Sequence, residues 1–108
     1  MVVPKRELIV ALGTFGSAGD EKAFFDWLQS IPCVEAVLGR SRVLHITLRK
    51  QPSNSDLREL IALLQRYRLD MRPLAALRNE RNAAWFAENR SSFWHVHVFG
   101  NGRPQKTG

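Results

Sequence analysis

Cysteine is almost absent from this sequence. Cys33 stands alone among 108 residues, which excludes an internal disulfide and a zinc site built on several cysteines of one chain. Its neighbours in "IPCVEAV" are mostly apolar. We therefore predict that this thiol is a small buried core group and not a nucleophile.

Long apolar runs are missing as well. No stretch approaches the roughly 20 residues that a membrane-spanning helix needs, and the start "MVVPKRELIVALG" carries its charges inside the apolar stretch. We therefore expect a cytoplasmic protein with no membrane partner. The sequence also has no internal repeat.

What the sequence does contain is ordinary globular composition with an excess of arginine. Hydrophobic residues make up 44% and charged residues 24%, which favours one folded domain over residues 1–100. Residues 101–108 lack apolar anchors and are expected to form a flexible basic tail. The net charge of +6 favours acidic partners, namely nucleic acid, an acidic protein or an anionic ligand.

The first half of the chain has clear strand and helix signals. "ELIVALG" predicts a strand at the centre of a sheet, covered on both faces. "DEKAFFDWLQSI" predicts a helix that Asp20 caps and Pro32 ends. "VEAVLGRSRVLHITLRK" contains two alternating runs around "GRS" and predicts a hairpin.

The second half begins with the best-defined helix. "PSNSDLRELIALLQRYRL" places Ser53 and Asp56 in capping-box spacing and follows them with a leucine-rich stripe. Residues 70–90 are too long for a simple connection, and Pro73 is suited to opening a further short helix there. "FWHVHVF" alternates and predicts the last strand.

This order of elements predicts an α+β domain of the ferredoxin-like, or split βαβ, plan. Its sheet would be four-stranded and antiparallel in the order 4-1-3-2, with the helices on one face and an extra short helix before the last strand. The analogy rests on the order of elements alone.

Alternation then assigns side chains to the face of the sheet that carries no helices. If Trp94, Val96 and Val98 face the helices, their neighbours along the strand must face away, and the same reasoning applies to the third strand. The predicted binding face comprises His45, Thr47, Arg49, Phe93, His95, His97 and Phe99. An alternative is that residues 70–90 fold over this face.

Two chemical interpretations of the histidines are weaker than simple binding. His95 and His97 are spaced for a shared zinc ion, but His45 would lie two strand spacings away, so we predict neither a metal nor another cofactor. General acid–base catalysis is possible for histidine in principle, but the sequence has no nucleophile motif and no pair of acids. We predict no catalytic residues.

Two further features concern anions. The turn "GTFGSAG" lies between a strand and a helix, and Gly16, Ser17 and Gly19 form a possible anion site there, although a plain turn explains the glycines too. Arginines recur at positions 66, 68, 72, 78 and 81. They form either a basic patch beside the second helix or a solvated helix face.

The sequence therefore favours a small, basic, non-enzymatic binding or accessory module. It is expected to associate through its helix-free sheet face, most simply as a homo-oligomer such as a homodimer. The alternative is a domain that binds single-stranded nucleic acid, although "RVLHITLRK" lacks the aromatic and glycine pattern of RNA-recognition strands. A small enzyme or ligand-binding protein that uses the histidines is the third possibility.

Overall fold

The structure is a computed structural model that describes residues 6–100. In chain order these residues form β1 (Arg6–Ala11), α1 (Ala18–Ser30), β2 (Val34–Arg40), β3 (Val43–Leu48), α2 (Asn54–Arg66), a 3₁₀ helix (Arg72–Leu77), a π-helical turn (Ala83–Ala87) and α3 (His95–Phe99). The predicted basic tail, residues 101–108, lies outside the described residues.

The sheet has three antiparallel strands in the order β1-β3-β2. The protein is therefore of the α+β class, but the prediction of a four-stranded, ferredoxin-like sheet is wrong. The first strand was also predicted at the centre of the sheet with both faces covered, whereas β1 is an edge strand. Leu8 and Val10 are buried while Ile9 between them is half exposed, so one face of β1 is open.

The predicted fourth strand does not exist, because residues 93–99 lie in short helical turns. Helical spacing buries His95 and Val98 together, since residues three apart share one side of a helix. Val96, which the strand hypothesis placed inside, is 52% exposed. An alternating apolar pattern over so few residues fits either structure, and packing of the segment decides between them.

The two long helices cover one face of the sheet. α1 begins at the N-cap Ser17 rather than at Asp20, and it ends before Pro32 as predicted. α2 begins with the predicted capping box between Ser53 and Asp56. The stripe on α2 is buried, and it joins the inward side chains of the sheet in one core that includes Leu8, Val10, Leu44, Ile46, Leu57, Leu60, Ile61 and Leu64. None of the helices within residues 6–100 has both the length and the apolar character to cross a membrane.

The predicted hairpin joins β2 to β3 through a loop of two residues, Ser41 and Arg42. Both residues have a positive φ, of 52° and 63° respectively. This geometry corresponds to the tight turn whose twist matches that of the strands, and it normally carries Asn-Gly. Gly39, which the sequence suggested as a turn residue, is part of β2 instead.

Residues 69–100, called the C-terminal segment below, pack beside the sheet and not over its open face. The 3₁₀ helix begins at Arg72 and carries Pro73 in its first turn, where a helix start was predicted. It contacts β1, and Arg6 donates to the carbonyl of Ala76 at 3.3 Å. Ile9 and Leu38 remain 51% and 52% exposed. The alternative in which residues 70–90 cover this face is therefore wrong.

Candidate interaction surface on the open sheet face

The face of the sheet opposite the helices carries nine side chains in three rows. The pairing register places Glu7, Thr47 and Ala36 in the first row, Ile9, His45 and Leu38 in the second, and Ala11, Val43 and Arg40 in the third. Alternation along each strand points all nine away from the core. We call this surface, defined by Glu7, Ile9, Ala11, Ala36, Leu38, Arg40, Val43, His45 and Thr47, the open face.

The middle of the open face is apolar around a single imidazole. Ile9 and Leu38 flank His45 on the two neighbouring strands, and each is about half exposed. Within residues 6–100, Phe93 and Val96 are the other large hydrophobic side chains exposed to this degree, and both belong to the C-terminal segment. Water contact with such a pair of aliphatic side chains is unfavourable, so covering them would release free energy.

Charges of opposite sign stand at two corners of the open face. Glu7 lies in the first row on β1 and Arg40 in the third row on β2, so they are diagonally opposite with His45 between them. The Glu7 carboxylate is 3.7 Å from Nδ1 of His45. A shallow depression of about 340 Å³ lies on the β2 side and is lined by Glu7, Ala36, Leu38, Arg40, His45 and Thr47.

Two of the predicted binding residues lie on this surface, and their role in binding stays a prediction. His45 and Thr47 lie on the open face as expected. Arg49 follows the end of β3, where its guanidinium donates to the carbonyl of Val34 at 2.8 Å. This hydrogen bond fixes the arginine against the first residue of β2.

The four predicted residues from the last strand are not on the sheet. His95 is buried, and its Nε2 is 2.8 Å from the carbonyl oxygen of Ala87, so that nitrogen carries the hydrogen. Phe99 packs on Phe86 with ring centroids 5.0 Å apart. His97 and Phe93 are exposed on the C-terminal segment. The expected cluster of three histidines on one face is therefore absent from residues 6–100.

Sequence reasoning missed the residues that give the open face its character. Ile9 is outside the predicted binding face because "ELIVALG" predicts a strand buried on both faces, and Leu38 is outside it because that face comprises the third and fourth predicted strands only. The alternation of Glu7, Ile9 and Ala11 was available as a signal. A strand at the edge of a small sheet is more often half exposed than fully buried.

The two remaining site predictions concern a metal, of which none was expected, and an anion at the turn before α1. Within residues 6–100 no group of three or more His, Cys, Asp or Glu side chains is arranged to hold a metal ion. At the turn before α1, Asp20 accepts from the amide of Gly16 at 3.3 Å, and Ser17 accepts from the amide of Asp20 at 3.1 Å. An anion bound at Gly16, Ser17 and Gly19 would have to displace a carboxylate.

A wider cleft of about 690 Å³ lies at the start of α2. Its charged lining residues are Lys50, Glu80 and Arg81, and the remainder are mostly amide and hydroxyl side chains. The capping box occupies one amide of the first turn, since Ser53 accepts from the amide of Asp56 at 3.0 Å.

Comparisons with other proteins add no functional information. The chain matches no family model, no curated protein and no solved structure.

Proposed function

We propose that this protein is a non-enzymatic binding module that associates with a second copy of itself through the open face. The observation that supports the proposal is the arrangement of that face, in which an apolar centre lies between opposite charges at diagonal corners. The expected cytoplasmic location belongs to the same proposal, because a free thiol such as Cys33 stays reduced there.

The charge pattern favours self-association because it is complementary to its own copy. We place the two-fold axis of the dimer in the interface, through His45 and perpendicular to the line from Glu7 to Arg40. Rotation about this axis brings Glu7 of each copy over Arg40 of the other. The strands of the two sheets then cross at a large angle, as in orthogonal sheet packing. The same operation places Ile9 near Val43 and Leu38 near Thr47 of the second copy.

The size of the face predicts a weak dimer. Three strands about 4.8 Å apart and five residues of about 3.4 Å each cover on the order of 250 Å², which is well below the ~800 Å² per partner of a stable complex. We therefore expect a dissociation constant of roughly ten micromolar or weaker. Association should be visible only at high protein concentration.

The first test is the mass of the protein by light scattering over a concentration series. The unaltered protein should approach the mass of a dimer at high concentration. Leu38→Glu should remain a monomer, because it buries a charge at the centre of the interface. Val96→Glu is the matched control, since Val96 is equally exposed but lies on the C-terminal segment, and this variant should dimerise normally.

A charge exchange tests the geometry of the pairing. Glu7→Arg and Arg40→Glu should each weaken the dimer, because each places like charges opposite one another. The double variant carries both reversals and should recover most of the affinity. A monomer at every concentration would refute the proposal, and loss of the dimer in Val96→Glu would move the contact to the C-terminal segment.

A further inference from the structure

The backbone takes an unfavourable conformation at three residues that gather at one end of the molecule. Ser41, Arg42 and Arg68 are the non-glycine residues within 6–100 that have a positive φ. Their Cβ atoms crowd the neighbouring carbonyl in this conformation, which glycine adopts freely. Strain of this kind persists at functional sites when the side chain itself is needed.

Two arginines occupy positions at which the backbone geometry favours glycine, one in the hairpin and one after α2. In the hairpin, Arg42 is the second residue of a two-residue loop, where glycine is preferred. After α2, Arg68 follows the C-cap Tyr67, and the amide of Leu69 donates to the carbonyl of Leu64 at 2.9 Å. This helix ending usually has glycine at the position of Arg68.

Both arginines flank the loop that follows β1. The amide of Leu12 donates to the carbonyl of Arg42 at 2.9 Å. The next residue, Gly13, lies against Leu69, because a Cβ added there would be 3.8 Å from the Leu69 side chain. The hairpin loop and the end of α2 therefore lie at the same end of the molecule, on either side of this loop.

This end has arginine in excess of free carboxylate. Arg42, Arg66 and Arg68 are all exposed, and we call these three residues the arginine end. Among the acidic residues nearby, Asp70 is paired with Arg72, whose guanidinium lowers the pKa of that carboxyl. Asp20 accepts from the amide of Gly16 at 3.3 Å.

We propose that the arginine end binds the phosphodiester backbone of single-stranded nucleic acid. Guanidinium groups fork onto phosphate oxygens and also stack on bases. The same end of the molecule carries two half-buried aromatic rings, because Phe15 in the loop after β1 and Tyr67 at the end of α2 have ring centroids 5.9 Å apart. Arginines combined with such rings are typical of surfaces that bind single strands without sequence preference.

The decisive experiment uses glycine, because stability and binding should change in opposite directions. Arg42→Gly and Arg68→Gly should each raise the melting temperature by about 3–6 °C, since glycine relieves the backbone. The double variant should bind a fluorescein-labelled, mixed-sequence 20-nucleotide DNA about tenfold more weakly at low salt. The slope of log affinity against log salt concentration should become less steep by about 1.4, because two phosphate contacts are lost.

The matched control is Arg78→Ala with Arg90→Ala, which removes the same charge from the C-terminal segment. It should retain most of the affinity. The proposal is overturned if the control loses as much affinity as the glycine variant, if the glycine variant binds as well as the unaltered protein, or if polyglutamate competes as effectively as the DNA. Neither Arg42 nor Arg68 is on the open face, so the double glycine variant should still dimerise, and this result separates the two proposals.

Discussion

The part of the chain up to Arg66 and the C-terminal segment are held together in different ways. The first part, residues 6–66, consists of three strands and two helices of 13 residues, in which regular backbone hydrogen bonds predominate. The C-terminal segment has only short helical turns, which side chains tie together. Asn82 donates to the carbonyl of Leu77 at 2.9 Å, and Trp94 donates to that of Phe86 at 2.9 Å.

This difference teaches that a segment with little regular structure can still belong to the core. Phe86, Leu74 and Val98 are buried in the same apolar cluster as the inner face of the sheet. The ring of Trp85 extends the contact, because the Arg58 guanidinium of α2 lies 4.0 Å from its centroid. The C-terminal segment therefore contributes to the stability of the whole protein.

The largest expected effect tests whether residues 6–66 and the C-terminal segment contribute equally to the free energy of unfolding. Phe24 in α1 and Phe86 in the C-terminal segment are both fully buried. Phe24→Ala and Phe86→Ala should each lower the free energy of unfolding by about 3–5 kcal/mol, because both leave a cavity of similar size. Urea denaturation measures both values. A cost below about 1 kcal/mol for Phe86→Ala would show that the C-terminal segment is loosely attached.

A smaller effect distinguishes a helix from a strand at residues 93–99. Val98 is 4% exposed and Val96 is 52% exposed. Val98→Ala should cost about 2 kcal/mol of unfolding free energy, whereas Val96→Ala should change it by less than about 0.5 kcal/mol. A strand would point both valines to the same side and make the two costs equal. Equal costs would therefore restore the strand hypothesis.

The same comparison explains which predictions from sequence succeeded. The capping box of Ser53 and Asp56, the stop at Pro32 and the short helix at Pro73 are local signals, because each depends on the geometry of a few consecutive residues. The hairpin was found for the same reason. Apart from Pro73, these signals lie in residues 6–66.

The failures concern contacts between distant parts of the chain. "FWHVHVF" places apolar residues where either a strand or a helical turn would bury some of them, and the choice depends on a partner that the sequence does not identify. The hydrogen bonds of Trp94 and His95 to carbonyls eight residues earlier favour the helical turns. Four of the seven predicted binding residues depended on that strand, whereas His45 and Thr47 lie on the open face because β3 was predicted correctly.

The thiol of Cys33 provides a probe that is confined to the first part of the chain. Burial raises its pKa to about 11, and the neighbouring Asp56 adds to the effect. The folded protein thus holds this proton to higher pH than the unfolded chain does. As a result, the protonated Cys33 thiol contributes to the free energy of unfolding below pH 9.0. This contribution is lost as the pH rises from 9.0 to about 11.

The last prediction uses this probe to ask whether the two parts unfold together. At pH 8 the folded thiol should react with a disulfide reagent at least about 100-fold more slowly than the unfolded chain, because little thiolate is present. A Trp27→Phe variant makes the fluorescence report Trp85 and Trp94, which both belong to the C-terminal segment. We expect thiol reactivity and fluorescence to change at the same urea concentration, as a shared core requires. A fluorescence change at lower urea, with the thiol still protected, would show instead that the C-terminal segment unfolds first and that the sheet and two long helices are stable without it.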